Sequence, residues 1–187
     1  MQKNLQKMNV PVANPAAVVA DKISVMEIIN MEPHHWNDVS KIYRAGIETG
    51  HATFQTDAPS WEEWDAAHIK NCRLVAVENN TVLAWAALTA VSGRCVYAGV
   101  AETSVYVDAG ARGKGIGRKL LMSLINESEK SNFWTLQAGI FPENTASIKI
   151  HEDCGFRTIG RRERIGKMKA VWRDTLLLER RSKVVGI

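Results

Sequence analysis

The 187-residue chain lacks several features that would assign it to a structural class. No apolar run approaches the ~18 residues that a membrane-spanning helix needs, so the sequence predicts no membrane span. The three cysteines, Cys72, Cys95 and Cys154, form no CxxC pair, which disfavours a disulfide framework and a cysteine-ligated metal site. His34, His35, His51 and His68 share no metal-ligand spacing, and we expect no metal. Cysteines used this sparingly are typical of a reducing compartment, and we expect a cytoplasmic location.

An excess of charge of one sign is also nearly absent. Lys and Arg total 24 and Asp and Glu total 20, for a net charge of +4. This balance suits a small anionic ligand at least as well as nucleic acid, and we expect no nucleic-acid partner. The densest basic segment runs from Arg161 to Arg173. We expect it to be mainly solvated surface, with contact to a ligand phosphate or a polyanion as the alternative.

The N-terminal segment differs from the rest of the chain. Pro11, Asn14 and Pro15 interrupt its Ala- and Val-rich stretch, and a secretory signal needs an uninterrupted apolar region. We therefore expect residues 1–25 to be a flexible extension. Residues 26–187, which contain no internal repeat, are expected to form a single domain.

Hydrophobic periodicity predicts a mixed order of strands and helices. Ser60 and Glu63 form a capping box that opens a helix expected to reach about Asn71. Asn79-Asn80 predicts the turn of a β-hairpin, and Gly155 the end of a late helix. The predicted order, βααβββ followed by αβαββ, indicates an α/β (α+β) fold without the regular alternation of a doubly wound sheet.

A glycine-rich segment between a predicted strand and helix is the strongest chemical signal. It does not match a Walker A loop, which needs Lys after its second glycine, nor a Gly-x-Gly-x-x-Gly loop, because Arg118 stands where the last glycine is required. Glycines let the backbone approach a ligand closely, and a helix N-terminus favours a bound anion. We expect a diphosphate to bind here, at Arg112, Gly113, Lys114, Gly115, Ile116, Gly117 and Arg118.

With the segment Ala101–Val107 and the stretch from Asn144 to His151, this loop resembles the GNAT acyltransferase superfamily. The resemblance extends from Met26 to about Arg181 and is closer to amino-acid N-acyltransferases of the phosphinothricin and methionine-sulfone type. It implies a mixed central sheet flanked by helices and splayed between its fourth and fifth strands, with acetyl-CoA bound in the gap as co-substrate. One departure is Ala170, where the family commonly has Gly, which puts the local turn near Lys169 in doubt.

The resemblance also implies a cofactor site around the Gly-rich loop. The backbone of Val105, Tyr106 and Val107 would pair with the pantetheine amides of acetyl-CoA, and Asn144 would hydrogen-bond the pantetheine arm. Ser147 lies three residues from Asn144, on the same helix face, and we include it among the cofactor-binding residues.

Two residues are candidates for proton transfer. Strand alternation places Glu102 on one face with Ser104 and Tyr106, beside the expected cofactor segment. Since an amine attacks a thioester only as the neutral base, Glu102 is predicted to be the general base, directly or through a water. His151 stands where many GNAT enzymes have a tyrosine that protonates the leaving thiolate. We predict an acid or second-base role for it, with a satisfied histidine packed against the sheet as the open alternative.

The acceptor site is less specific in the sequence. By resemblance Cys95, Val96 and Tyr97 line an amino-acid pocket, and Thr53 and Phe54 help to close it. We expect a small-molecule amine as substrate, and the resemblance implies a homodimer whose partner chain contributes to the pocket. The alternatives are acetylation of a polyamine, an aminoglycoside or a protein N-terminus, a CoA-binding module without turnover, and nucleic-acid binding by the basic segment.

Overall fold

The first half of the chain builds an antiparallel sheet. The computed structural model describes residues 25–187, so the expected extension, residues 1–25, lies outside the described residues apart from Val25. Four antiparallel strands come first: β1 Glu27–Asn30, β2 Arg73–Glu78, β3 Thr81–Ala90 and β4 Val100–Val107. Helices α1 (Trp36–Glu48) and α2 (Trp61–Ala67) lie between β1 and β2 in the chain.

The second half extends the same sheet. Its elements are α3 Ile116–Lys130, β5 Thr135–Ile140, α4 Thr145–Asp153, β6 Arg157–Met168 and β7 Val171–Arg181. The strand order is β1-β2-β3-β4-β5-β7-β6, and only the β4–β5 pair is parallel among residues 25–187. The expected mixed sheet and order of elements are confirmed. No helix in this part of the chain has the length and apolar composition to cross a lipid bilayer.

Strands β4 and β5 separate after a short parallel contact. Their register contains three pairs, from Val100↔Thr135 to Glu102↔Gln137, whereas β4 stays paired with β3 as far as Val107. Residues 103–107 of β4 therefore have one edge without a strand partner in the middle of the sheet. The splay expected between strands 4 and 5 is confirmed.

Each face of the sheet carries its own core. Val39 and Ile42 of α1 and Trp64 of α2 pack with Trp85 on one face. On the other face Leu120, Leu121 and Leu124 of α3 pack with Leu136 and Leu178. Because alternate residues of a strand point to opposite faces, β4 sends Ala101 to the α3 side and Tyr106 to the α1 side.

Helix α2 is shorter than predicted, for a reason that involves distant residues. The capping box at Ser60 forms, with both reciprocal hydrogen bonds to Glu63. His68 is already extended, and the buried Arg73 donates hydrogen bonds to the carbonyls of Asp65 and His68 at the helix end. The same guanidinium pairs with the Asp65 carboxylate and lowers the pKa of Asp65. Arg73 thus ends the helix at Ala67 instead of near Asn71.

Two hairpin turns use non-glycine residues with positive φ. Asn79 and Asn80 have φ of 49° and 62°, as a tight hairpin turn requires, and asparagine tolerates this region. Lys169 and Ala170 join β6 to β7 with φ of 47° and 67°. The turn that Ala170 put in doubt does form, although alanine is strained in the left-handed region.

Candidate active site

The Gly-rich loop joins the open part of β4 to α3. Gly113 and Gly115 have φ of 76° and 74°, and a Cβ on either would meet nothing within 4 Å. Within residues 25–187, the backbone N–H groups of residues 113–118 find no hydrogen-bond acceptor, and the first bond of the helix is Lys119 N–H to the Gly115 carbonyl at 3.1 Å. Consecutive free N–H groups at a helix N-terminus bind phosphate groups. The loop therefore fits a diphosphate.

Other residues of this loop set its position. Gly117 faces Val107, since a Cβ there would stand 3.2 Å from Val107 Cγ2, so the helix packs closely on the strand. Ile116 is buried under the loop, while Lys114 and Arg118 are exposed. Arg112 is exposed and its Nε donates a 3.4 Å hydrogen bond to the Val107 carbonyl. The loop and the start of α3 thus contact the end of β4 at Val107.

Glu102 occupies the point where the two strands part. It forms the last β4–β5 pair with Gln137 and is partly exposed on the α1 face. Its Oε1 lies 3.5 Å from the point where a Cβ on Gly139 would stand. Two positions further along the same face, Tyr106 stacks on Trp85 with ring centroids 4.6 Å apart. Burial raises the pKa of Tyr106, so its hydroxyl stays protonated.

His151 lies on the opposite face of β4 from Glu102 and is 3% exposed. Its Nδ1 is 2.8 Å from the Ser147 carbonyl and its Nε2 is 3.2 Å from Thr103 Oγ1. Because a carbonyl only accepts, Nδ1 carries the proton, and Nε2 of the neutral ring accepts from the Thr103 hydroxyl. Burial lowers the pKa of His151, which favours this neutral form.

Asn144 caps the helix that carries His151. Its Oδ1 accepts from the Ser147 N–H at 3.1 Å, and its Nδ2 donates to the His51 carbonyl at 3.1 Å. Asn144 and Ser147 therefore share the first turn of α4, as the sequence predicts. Both side chains are partly exposed.

The α1–α2 loop reaches the strands β6 and β7. Phe54 makes an edge contact with Phe141 at 4.8 Å between ring centroids, and Gly166 of β6 lies against its ring. Thr53 lies beside the hydroxyl groups of the partly buried Tyr43 and Tyr106. These contacts place Thr53 and Phe54 on the same sheet face as Glu102.

Cys95, Val96 and Tyr97 form a short 3₁₀ helix before β4 and are all exposed. Tyr97 is 46% exposed, with the Arg94 guanidinium 5.6 Å from its ring centroid.

The basic segment is only in part the solvated surface that we expected. Arg161 pairs with Asp174 at 2.5 Å. The Arg173 side chain, 15% exposed, donates to the Gly50 carbonyl at 3.1 Å and pairs with Glu143 at 3.2 Å, which ties the α1–α2 loop to β7. Trp172, the second residue of β7 and paired with Lys167 of β6, is 56% exposed. An open pocket of about 540 Å³ beside Arg173 contains none of the predicted site residues.

One residue of the acceptor side was missed by the sequence reasoning. Arg162 extends from β6 toward β5, and its Nη2 stands 4.0 Å from the same Cβ point on Gly139 that Glu102 approaches. Its buried Nε has no hydrogen-bond partner. A glycine inside a predicted strand can mark close approach of a ligand, so Gly139 was the available signal. Nothing in the sequence placed Arg162 opposite it.

Together these elements define a class of enzyme. An unpaired strand edge leads into a phosphate-binding loop, and a carboxylate stands beside the start of that edge. This arrangement suits transfer of an acyl group from a diphosphate-bearing thioester to an amine. Among residues 25–187, no group of three or more His, Cys, Asp and Glu side chains could hold a metal ion.

Comparison with known proteins identifies the family. The sequence model of the Acetyltransferase (GNAT) family matches residues 36–156. The chain belongs to this family and is an acetyl-CoA-dependent N-acetyltransferase.

Three similar proteins illustrate the range of the family. A phosphinothricin N-acetyltransferase of Alcaligenes faecalis is 33% identical over 148 residues, covering 76% of this chain and 75% of that protein. An L-methionine sulfoximine/L-methionine sulfone acetyltransferase of Salmonella typhimurium is 33% identical over 106 residues, 57% of this chain and 62% of the relative. A phosphinothricin acetyltransferase of Sinorhizobium meliloti, solved in complex with AcCoA, superposes with a TM-score of 0.76 at 25% identity, covering 86% of this chain and 90% of that one.

Proposed function

We propose that this protein acetylates the α-amino group of a small amino acid or amino-acid analogue of the phosphinothricin or methionine-sulfone kind. The observation that carries the proposal is the position of Glu102, which ends the β4–β5 pairing and directly precedes the open edge of β4. The names of two relatives of about one-third identity support the acceptor class. A role in detoxification or resistance belongs to the same proposal.

The cofactor site is proposed on β4 and the loop. The free N–H groups of residues 113–118 would hold the diphosphate, with Arg112, Lys114 and Arg118 as counter-charges. The unpaired edge at Val105, Tyr106 and Val107 would receive the pantetheine amides, and Asn144 and Ser147 would flank the arm. When bound, acetyl-CoA supplies the activated acetyl thioester.

Glu102 is proposed as the general base. An α-ammonium must lose a proton before its nitrogen can attack, and Glu102 would accept that proton directly or through one water. Thr53, Phe54, Cys95, Val96 and Tyr97 would surround the acceptor. Holding both reactants on one sheet face removes much of the entropic cost of their encounter.

For His151 we propose the packing role that the sequence left open as an alternative. Both ring nitrogens are engaged by Ser147 and Thr103, and the ring is buried on the face of β4 away from Glu102. The acid role predicted from the resemblance needs a proton on Nε2, which burial opposes. The second-base role needs an Nε2 lone pair open to the substrate, whereas this nitrogen faces the Thr103 hydroxyl at 3.2 Å. If a His151→Gln variant keeps its fold but its kcat falls about 10²-fold or more, the packing role is wrong and the catalytic role is supported.

A homodimer and a cytoplasmic location complete the proposal. Val96 and Tyr97, 61% and 46% exposed, offer an apolar surface that a partner chain would cover. The three cysteines are free thiols, as a reducing compartment allows. Sedimentation of the purified chain tests the dimer, and a monomer at all concentrations would refute it.

Acetyl transfer across a panel of amines tests the function. Thiol release from acetyl-CoA should occur with phosphinothricin, methionine sulfone or a related amino acid, and not with polyamines or aminoglycosides. Preference for a polyamine, an aminoglycoside or a peptide N-terminus would refute the acceptor class. Binding of acetyl-CoA without transfer to any amine would indicate a CoA-binding module.

A further inference from the structure

Among residues 25–187, Arg162 has no carboxylate within the 4.0 Å of an ion pair. It is partly buried, its Nε lacks a hydrogen-bond partner, and its guanidinium takes part in none of the ion pairs of the described chain. Its neighbours on β6 differ, since Arg157 pairs with Glu179 and Arg161 with Asp174. The unused donors of this partly buried guanidinium are available to bind an anion through charge-assisted hydrogen bonds.

The register of the sheet directs Arg162 toward the acceptor side of the site. Arg162 is paired with Thr175 of β7, and the next position on that face, Leu177, is paired with Gly139 of β5. The long side chain crosses β7, so that its Nη2 lies 4.0 Å from the Cβ point of Gly139. Glu102 Oε1 reaches the same point from β4, at 3.5 Å.

A carboxylate and a guanidinium therefore flank one open point on the sheet. Gly139 is exposed, and no side chain of its own fills the space. An α-amino acid carries an ammonium and a carboxylate on the same carbon. An acceptor whose nitrogen faces Glu102 can turn its carboxylate toward Arg162, and guanidinium groups bind carboxylates through paired hydrogen bonds.

We propose that Arg162 binds the carboxylate of the acceptor and so selects amines that bear an acidic group on the adjacent carbon. This inference rests on the proposed function, because it takes Glu102 as the base and the α3–β4 side as the cofactor site. Arg162 would be a residue that determines specificity for the acceptor. Arg162 acts on acceptor binding and not on the cofactor.

The test compares two acceptors that differ only in the carboxylate: methionine sulfone and the corresponding 3-(methylsulfonyl)propylamine. Arg162→Gln should raise the KM for methionine sulfone about 10- to 100-fold, as expected for the loss of a charged hydrogen-bonded pair. The KM for the amine and for acetyl-CoA should change less than about twofold. The quantity compared is the ratio of the variant's KM to the wild-type KM for the same acceptor. The different basicities of the two amines therefore do not affect the comparison.

Two variants and one binding measurement complete the test. Arg164→Gln removes the same charge from an exposed position of β6 and should leave both KM values unchanged. Arg162→Lys keeps the charge and should lose less than Arg162→Gln. Calorimetry measures binding of N-acetylmethionine sulfone without turnover. The wild type and Arg164→Gln should bind it most tightly, Arg162→Lys less tightly and Arg162→Gln least tightly.

Three other results would overturn the proposed role of Arg162. Equal increases in KM for both acceptors would overturn the role of Arg162 in binding the carboxylate. An increased KM for acetyl-CoA alone would overturn it as well and assign Arg162 to the cofactor. Failure of the wild-type enzyme to acetylate any amine would overturn the proposed function, and this inference with it.

Discussion

Glu102 and Gln137 form the last residue pair that holds the parallel strands β4 and β5 together. One residue later, Thr103 turns its hydroxyl to His151 on the other face, and the strands have parted. The candidate base and the beginning of the proposed cofactor cleft are therefore adjacent in the chain. The candidate base is positioned by the same break in pairing that leaves the edge of β4 open.

Replacing Glu102 by Gln should remove the base and keep the shape of the side chain. We expect kcat/KM to fall by roughly 10²–10⁴-fold, the usual contribution of general-base catalysis, with little change in the KM for acetyl-CoA. Steady-state kinetics from pH 6 to 9 measure this. Glu152→Gln, an exposed carboxylate change on α4, is the control and should be neutral. Full activity of Glu102→Gln at every pH would eliminate the general-base role.

Replacing Gly115 by Ala should affect acetyl-CoA binding and stability together. An L-residue at φ of 74° is strained by about 1–2 kcal/mol, and relaxation of the loop would turn its N–H groups away from a common ligand. We expect a KM for acetyl-CoA that is higher by about tenfold or more, in line with the loss of one or two charged hydrogen bonds.

Gly155→Ala separates the two effects of the Gly115 change. Gly155 follows α4 with φ of 87°, and a Cβ there would make only an ordinary contact of 3.7 Å. Its stability loss should match that of Gly115→Ala, while its KM for acetyl-CoA stays at the wild-type value. A wild-type KM for both variants would contradict the assignment of the loop.

Stability should fall as pH decreases below about 6.5. Burial lowers the pKa values of His35, His68 and His151, so the unfolded chain takes up protons that the folded chain does not. The free energy of unfolding is therefore largest above the ordinary histidine pKa and decreases as pH falls toward the lowered values. Urea unfolding at pH 7 and pH 5 measures this decrease, and His151→Gln should make it smaller. A free energy of unfolding that is constant or rises over this interval would contradict the burial of neutral histidines.

Replacing Ala170 by Gly should stabilise the protein. Alanine in the left-handed region is strained by about 1–2 kcal/mol, and glycine removes this strain. The greater conformational entropy of glycine in the unfolded chain offsets part of the resulting stabilisation. We expect the free energy of unfolding to rise by about 0.5–1 kcal/mol. Ala66→Gly, at an exposed position inside α2, should instead lower it by about 0.5–1 kcal/mol. Destabilisation by both changes would mean that the Ala170 methyl group makes a favourable contact in the hairpin.

Features that depend on neighbouring residues were predictable from the sequence. The Ser60–Glu63 capping box, the Asn79-Asn80 turn and the Gly-rich entrance to α3 are each set by a few consecutive side chains. The family resemblance then supplied the splayed sheet and the candidate base. Hydrogen bonds and backbone conformations within a single turn determine the capping box and the turns. These features can therefore be predicted from the local sequence.

Other features came from contacts between distant segments. Arg73 shortened α2 from the first residue of β2, and Thr103 met His151 across 48 positions. Arg161 and Arg162 are adjacent and chemically identical, yet one pairs with Asp174 and the other faces Gly139. In the sequence both are parts of one basic segment. Which arginine forms an ion pair and which faces Gly139 depends on strand register and on the alternation of faces, and only the assembled sheet determines these.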